Sequence, residues 1–401
     1  MKNSNLVKKQ GEKIKNSRYI YLIIFMFLLM VLDAVAENLK GVFLPLFKND
    51  FSINDSIMGM WLFVGSLGYI LFTYLGGLFS RKIGHKKVIG LGIILCIIST
   101  FLFSISHTSR IMIFIDTFLI NGALALCAIA INTLIPMVGV GFQAILMNLT
   151  HFFYGFGATI GTGATGYLLG NNISWQKIYF GVSVLYILIG IVSFFIKVPQ
   201  ISLVENDGKE DENDKSIFKN KLVYMFSLAL GFYVFAECAT INWLVNYCDK
   251  SFGITIVQAT KYLSIFTAVL TIGRLVGGFI VQKIGELKSV ILSTAMAIVF
   301  FSIGIIMRED GIILIAISGL FFAIVYPTIV LSSSRVFKKE SSYAMGVVIS
   351  MATGVNMIFN VVLGSINQFM GPTKGFLIIP ISLCISICAQ IYIKKSCKNV
   401  R

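Results

Sequence analysis

Charged side chains are scarce in the apolar runs of this sequence, and the few found there are the residues best placed to do chemistry. Asp33, Glu37 and Lys40 follow at spacings of four and three, which puts them on one face of a helix. Glu237 sits in the middle of another apolar run, with Asn242, Trp243 and Tyr247 on the turns that follow. Asn148, His151 and Tyr154 recur every three residues as a polar stripe. Asn132, Asp116 and the pair Asn356 and Asn360, four apart on one face, complete the set, with Arg274 at the end of its run.

A charge in hydrocarbon costs a few kcal/mol on insertion scales and turns towards a cavity or a partner. Two acids against Lys40 leave one carboxylate over, a place to hold a proton or Na+; the alternative is an ion cluster that only packs its helix. Glu237 has the same two readings, with Lys261 or another base as its structural partner. Trp243 and Tyr247 share a face beside amide and acid groups, which suits a sugar: its ring face stacks and its hydroxyls are bonded. Aromatics near the end of a span also serve as interfacial anchors. His151 could bond a solute hydroxyl, relay a proton or satisfy a neighbouring helix. Ion coupling is therefore expected at Asp33, Glu37 and Glu237. Solute contacts are expected at Lys40, Asn132, Asn148, His151, Tyr154, Asn242, Trp243, Tyr247, Asn356 and Asn360.

The elements that must position these groups follow from composition. Of 401 residues, 57% are hydrophobic and 13% charged, far from the globular average, so the chain reads as a polytopic all-α membrane protein. Runs between polar breaks give twelve spans: 19–46, 54–79, 88–106, 110–136, 141–170, 175–197, 221–248, 254–281, 288–307, 310–334, 342–369 and 374–393. Runs this long without strand alternation can only be helices. Residues 1–18 lack a signal-peptide cleavage pattern, and Tyr19 begins the first retained span. Lys and Arg favour one side of the spans by about four to one, which puts both termini in the cytoplasm, as tails 1–18 and 394–401. The net charge of +15 is spread over these inner loops, with no basic domain for nucleic acid to contact. Six-helix halves at 19–197 and 221–393 are joined by an acidic linker, 198–220, whose composition reads as a solvated tether. Five of the seven cysteines, Cys96, Cys127, Cys238, Cys384 and Cys388, lie inside apolar runs without disulfide or zinc spacing, and inert thiols with no metal are expected. No phosphate-cradling loop or nucleophile–base set is present, so neither cofactor nor catalysis is expected.

One stretch occurs twice. Gly77 to Lys87 and Gly278 to Lys288 are offset by 201 residues, and a Gly pair, a Lys-Ile-Gly core and a final Lys fall in register. The halves are thus repeats, Glu237 stands in the repeat partner of the first span, and an acid in each half is what a central site of a duplicated transporter would contain.

Twelve spans, inner termini, a central linker and this loop together resemble the major facilitator superfamily. Its loop reads Gly-x-x-x-Asp-Arg/Lys-x-Gly-Arg/Lys-Arg/Lys, matched by Gly77, Lys82, Gly84 and Lys86, with His85 at a basic position and Arg81 in place of the Asp. The resemblance implies a conformational latch at Gly77, Arg81, Lys82, Gly84 and Lys86 and, in the second copy, Gly278, Lys283 and Gly285, supported by Arg274. Asn38 to Pro45, Asn148 to Ala158, Ala236-Glu237 with Trp243 and Tyr247, Gly273 to Gly278, and Tyr326-Pro327-Thr328 are similar to the fucose permease group of sugar transporters. Gly41 and Ala128 stand where that group carries its coupling acids, so those two roles do not transfer. The drug–proton antiporter signatures are replaced at Asn121-Gly122 and Gly161-Thr162. The resemblance implies a monomeric secondary transporter in the cytoplasmic membrane whose two halves rock about a central site. Its partners would be a small solute, H+ or Na+, and membrane lipid, without nucleic acid. Export of amphipathic compounds or metabolites is the alternative that the same architecture permits.

Overall fold

With no water in a bilayer core, a backbone must satisfy its own polar groups, and the long apolar runs do so as helices. A computed structural model describes residues 19–105, 109–138, 143–198, 220–337 and 341–398. Most of the acidic linker, the tail 1–18, residues 399–401, and Lys338 and Lys339 lie outside the described residues, while 394–398 of the expected C-terminal tail continue the last helix. In order, the long helices are α1 (Ile20–Asp50), α2 (Asp55–Ile83), α3 (His85–Ile105), α4 (Arg110–Val138), α5 (Gln143–Gly170) and α6 (Trp175–Phe195), then α7 (Lys221–Phe252), α8 (Ile256–Ile284) and α9 (Glu286–Ile306). The tenth span is two pieces, α10 (Ile312–Phe322) and α11 (Val325–Phe337), followed by α12 (Ser341–Met370) and α13 (Ile378–Lys398). Eleven spans among the described residues are long and apolar enough to cross a membrane, counting α10 and α11 as one; α5, with its glycines and polar stripe, is the twelfth long helix. No strand occurs among the described residues.

Helix ends are where the sequence signals local geometry. Asn220 starts α7 by accepting from the Leu222 N–H at 3.0 Å, and Gly253 ends it at φ 69°, its N–H bonded to the Asp249 carbonyl. The duplicated loop takes one form twice. Gly84 between α2 and α3 has φ 85°, and Gly285 between α8 and α9 has φ 92°. Only glycine adopts that conformation without strain, which is the physical reason that the spacing repeats. The tenth span is interrupted at Ala323 and Ile324. Pro327 has no N–H to offer the Ala323 carbonyl one turn earlier, so the helix divides there.

Contacts divide the chain into two compact units. The first holds α1 up to Glu37, α2 from Leu67, α3, α4, α5 up to Ala158, and α6. Its core stacks Phe103 on Tyr179 at 4.5 Å and Phe27 on Phe153 at 4.6 Å. The second holds the α1–α2 hairpin from Asn38 to Ser66, the end of α5 from Thr159, and everything from α7 onward. There Phe322 is ringed by Tyr233, Phe266 and Phe301, and Tyr247 lies flat on Phe376 at 4.0 Å. Side chains such as Phe194, Phe195, Phe279 and Ile306 are more than three-quarters or about three-quarters exposed, an outer surface made for acyl chains.

In lipid the driving force for helix association is close packing, so backbones approach where side chains are missing. A Cβ added at Gly68 of α2 would strike the Phe118 carbonyl of α4, and one at Gly59 would come within 2.6 Å of the Asn360 carbonyl of α12. Gly90 of α3 faces open space. Gly68→Ala is expected to lower stability by about 1–3 kcal/mol, because backbone cannot yield as a side chain does. Gly90→Ala is expected to be neutral or to stabilise by up to about 1 kcal/mol through helix propensity. Thermal unfolding of the purified protein in detergent checks the pair.

Candidate functional site

Glu237 is held in the second unit by three elements. Its Oε1 accepts from Arg274 Nη2 of α8 at 2.9 Å, an ion pair whose side chains are only 14% and 25% exposed. Its Oε2 accepts from the hydroxyl of Tyr233, one helical turn earlier on α7, at 2.5 Å. That hydroxyl also lies 2.6 Å from the Phe322 carbonyl, at the break between α10 and α11. Tyr233 has one hydroxyl hydrogen and faces two acceptors. Both short contacts are hydrogen bonds at once only when Glu237 carries a proton on Oε2 and donates it to the Tyr233 oxygen, which then donates to Phe322. With Glu237 ionised, the Tyr233 hydrogen serves one acceptor and the other contact sets lone pair against lone pair. The arrangement thus has room for one proton beyond what a Glu–Arg ion pair needs.

Asp33 of α1 is 3% exposed and lies in the first unit, with its Oδ1 accepting from the Tyr186 hydroxyl of α6 at 2.8 Å. Its Oδ2 is buried without a hydrogen-bond partner. The face predicted to carry Asp33, Glu37 and Lys40 exists on α1, with Glu37 and Lys40 half-buried, but Asp33 takes a tyrosine as its partner. A buried ion clasp joins the α1–α2 hairpin to α7: Lys48 Nζ lies 2.6 Å from Asp55 Oδ1 and donates to Asn246 Oδ1 at 3.1 Å. Gln368 of α12 accepts from the Asp55 N–H at 3.1 Å, and Gly41 abuts the Ile241 carbonyl.

The structure distributes the remaining expected residues unevenly. Asn242 is buried, and Trp243 is fully buried with its indole N–H unbonded. Tyr247 is a packing residue against Phe376, with its hydroxyl buried and unbonded; it is not an interfacial anchor. Asn360 donates to the Asn356 side-chain oxygen at 2.9 Å and to its carbonyl at 2.8 Å, so this pair largely satisfies itself. Asn132 is half-buried with its Oδ1 unbonded. His151 is exposed and Tyr154 half-buried. The backbone of Asn148 belongs to α5, and its side chain lies outside the described residues.

Arg274 departs from expectation. The resemblance places it in support of the duplicated loop, yet it pairs with Glu237, because it lies on the face of α8 turned to α7. Of the structural alternative for Glu237, pairing with Lys261 or another base, Lys261 is exposed and Arg274 is the base found. In the loops, the close-packing glycines are Gly76 and Gly277, the first of each pair: a Cβ at Gly76 would reach 2.8 Å from Ile129, and one at Gly277 would strike Ile324. Gly77 and Gly278, one residue and about 100° further round, face open space. Lys86 caps the end of α6 through the Ile196 carbonyl at 2.9 Å, while Lys82 and Lys283 are exposed and the Arg81 side chain is outside the described residues. In the second copy Glu286 pairs with Arg335 at 2.5 Å and accepts from Ser332 at 3.0 Å. Tyr233 is absent from the residues expected at the site, although its i, i+4 spacing to Glu237 is a signal that points to it. Tyr186 left no signal in the sequence.

Eleven membrane-length spans among the described residues, with α5 as a twelfth long helix, define a multi-pass membrane protein. The chain belongs to the Major Facilitator Superfamily, whose model matches residues 26–359. A TsgA homolog of Buchnera aphidicola is 22% identical over 371 residues, covering 91% of this chain and 93% of the relative. A protein of Helicobacter pylori described as a putative glucose/galactose transporter is 23% identical over 374 residues, 88% of each chain. The solved structure of the Escherichia coli fucose:proton symporter superposes with a TM-score of 0.65 at 20% identity, covering 94% of this chain and 99% of the other.

Removing one partner of a buried pair leaves the other charge uncompensated. Lys48→Met is therefore expected to loosen the hairpin from α7 and expose the buried Cys248, two residues beyond Asn246. In protein retaining Cys248 as its single cysteine, maleimide labelling is expected to speed up by about tenfold, a shift of about 1.4 kcal/mol in the opening equilibrium. An unchanged rate would assign the clasp no role in closing this end.

Proposed function

We propose that the protein is a proton-coupled secondary transporter that takes up a small polyhydroxy solute of the sugar class across the cytoplasmic membrane by alternating access, with both termini cytoplasmic. The observation that carries this reading is the Glu237–Tyr233–Arg274 arrangement, in which one extra proton completes the hydrogen bonds. When Glu237 is ionised, Arg274 neutralises it; when Glu237 is protonated, its Oε2–H donates to the Tyr233 oxygen, the Tyr233 hydrogen goes to the Phe322 carbonyl, and Arg274 keeps a neutral acceptor. The same segment of α7 carries Asn242 and Trp243, whose buried and unbonded indole N–H is a donor suited to a hydroxyl. The similarity to proteins described as a glucose/galactose transporter and a fucose:proton symporter supports the sugar class and the proton. Sodium fits less well, because an ion of that kind wants several oxygen ligands and Glu237 already spends its own on Arg274 and Tyr233.

Asp33 and Glu37 of α1 complete the proposed coupling set, and the duplicated glycine turns at Gly84 and Gly285 act as the inner latches. Coupling and solute exchange are separable in liposomes. With one proton per solute, a pH gradient of one unit is expected to support about tenfold accumulation of the transported sugar. Glu237→Gln is expected to retain counterflow of labelled sugar while losing accumulation, and Glu37→Gln to weaken it. Accumulation unchanged in Glu237→Gln would overturn the coupling role. No counterflow with any sugar in a panel would overturn the solute class.

A further inference from the structure

Three groups that lie far apart in sequence meet in the first unit: Asp33 of α1, Cys96 of α3 and Cys127 of α4. One ligand atom from each, a carboxylate oxygen and two sulfurs, lies within 4.8 Å of the others. Both cysteines are 0% exposed and Asp33 is 3% exposed. Tyr186 of α6 fixes the carboxylate by donating to Oδ1 at 2.8 Å, which leaves Oδ2 buried and unbonded. An unpaired carboxylate oxygen in a dry interior is costly and calls for a proton or a cation. Thiols are weak donors and do little for it as they stand. As thiolates, with the carboxylate beside them, they form a donor set for a soft or borderline metal ion.

The geometry points to a binding site for one thiophilic ion of the Zn2+, Cd2+ or Cu+ kind, held by Cys96 Sγ, Cys127 Sγ and Asp33 Oδ2. Zinc–sulfur bonds of about 2.3 Å at tetrahedral angles put two sulfurs roughly 3.7 Å apart, so a cluster within 4.8 Å closes on an ion with side-chain movement alone. Hard cations such as Na+ or Mg2+ are disfavoured by the sulfurs. Tyr186 would orient the carboxylate for the ion, as outer hydrogen bonds do for ligands generally. Gly92 makes the room: a Cβ there would sit 2.6 Å from Cys127 Sγ and 3.1 Å from the Ala123 carbonyl. Binding a divalent ion releases the two thiol protons to solvent and joins α1, α3 and α4 through one centre. The inference does not rest on the transported solute. An ion held there would also take Asp33 out of the proposed coupling set, which makes the site inhibitory.

Full-length protein in detergent, with Cys238, Cys248, Cys384, Cys388 and Cys397 replaced by Ser, is titrated with Cd2+ under a non-thiol reductant. The expected result is a thiolate-to-cadmium ultraviolet band that saturates at one equivalent with release of about two protons. Cys96→Ser and Cys127→Ser are expected to abolish the band, and Asp33→Asn to keep it at about tenfold or more lower affinity. No band at one equivalent, or a band that survives in the Cys96→Ser/Cys127→Ser double variant, would overturn the site. Should the serine variants fail to fold, Tyr186→Phe carries the test: affinity is expected to fall by about 10- to 100-fold, and an unchanged affinity overturns the site.

Discussion

A carboxylate kept in a hydrocarbon layer must share its charge or carry a proton, and much of this structure is arranged around that requirement. Glu237 shares its charge with Arg274 and a hydrogen bond with Tyr233. The arrangement draws together three elements that are otherwise only apolar: α7 supplies the acid and the phenol, α8 the guanidinium, and the break after α10 a carbonyl. The break is itself a consequence of Pro327, so a residue unable to donate a hydrogen bond creates the irregular backbone where one is received. Asp33 meets the same requirement less completely, with one oxygen bonded to Tyr186, the other unbonded, and two thiols close to the carboxylate. The two acids are thus chemically different: both oxygens of Glu237 have partners, while one oxygen of Asp33 has none.

The second constraint is the absence of a hydrophobic force between helices in lipid. Close approach replaces it, and the glycines mark where that happens: Gly68 against α4, Gly41 against α7, Gly59 and Gly364 face to face between α2 and α12. Around the last two, Lys48, Asp55, Asn246 and Gln368 form a polar clasp whose first three members are largely buried while Gln368 is exposed. Glycines that turn the chain do a separate task. Gly84 and Gly285 have positive φ and touch nothing, so they set the angle between consecutive helices while the glycines before them set the distance. Packing and turning are thus assigned to different members of one short motif.

What could be read from the chain alone was what depends on local composition and short spacing. Long apolar runs compel helices, so the spans were legible, most within a few residues of their observed ends. The duplicated loop was legible because a turn that needs φ above zero admits little but glycine. The acids inside the spans were legible too, because charge in an apolar run is costly and therefore rare. Tertiary structure alone decided the partners. Arg274 looked like part of a loop until the rotation of α8 turned it to Glu237, and Trp243 and Tyr247, alike in sequence, differ because only Tyr247 finds a ring to stack on. Asp33, Cys96, Cys127 and Tyr186 come from four helices, and no spacing could relate them. A sequence lists which groups are expensive to bury. Which of them offset one another depends on how each helix is rotated about its axis, and that is fixed only when all the helices pack at once.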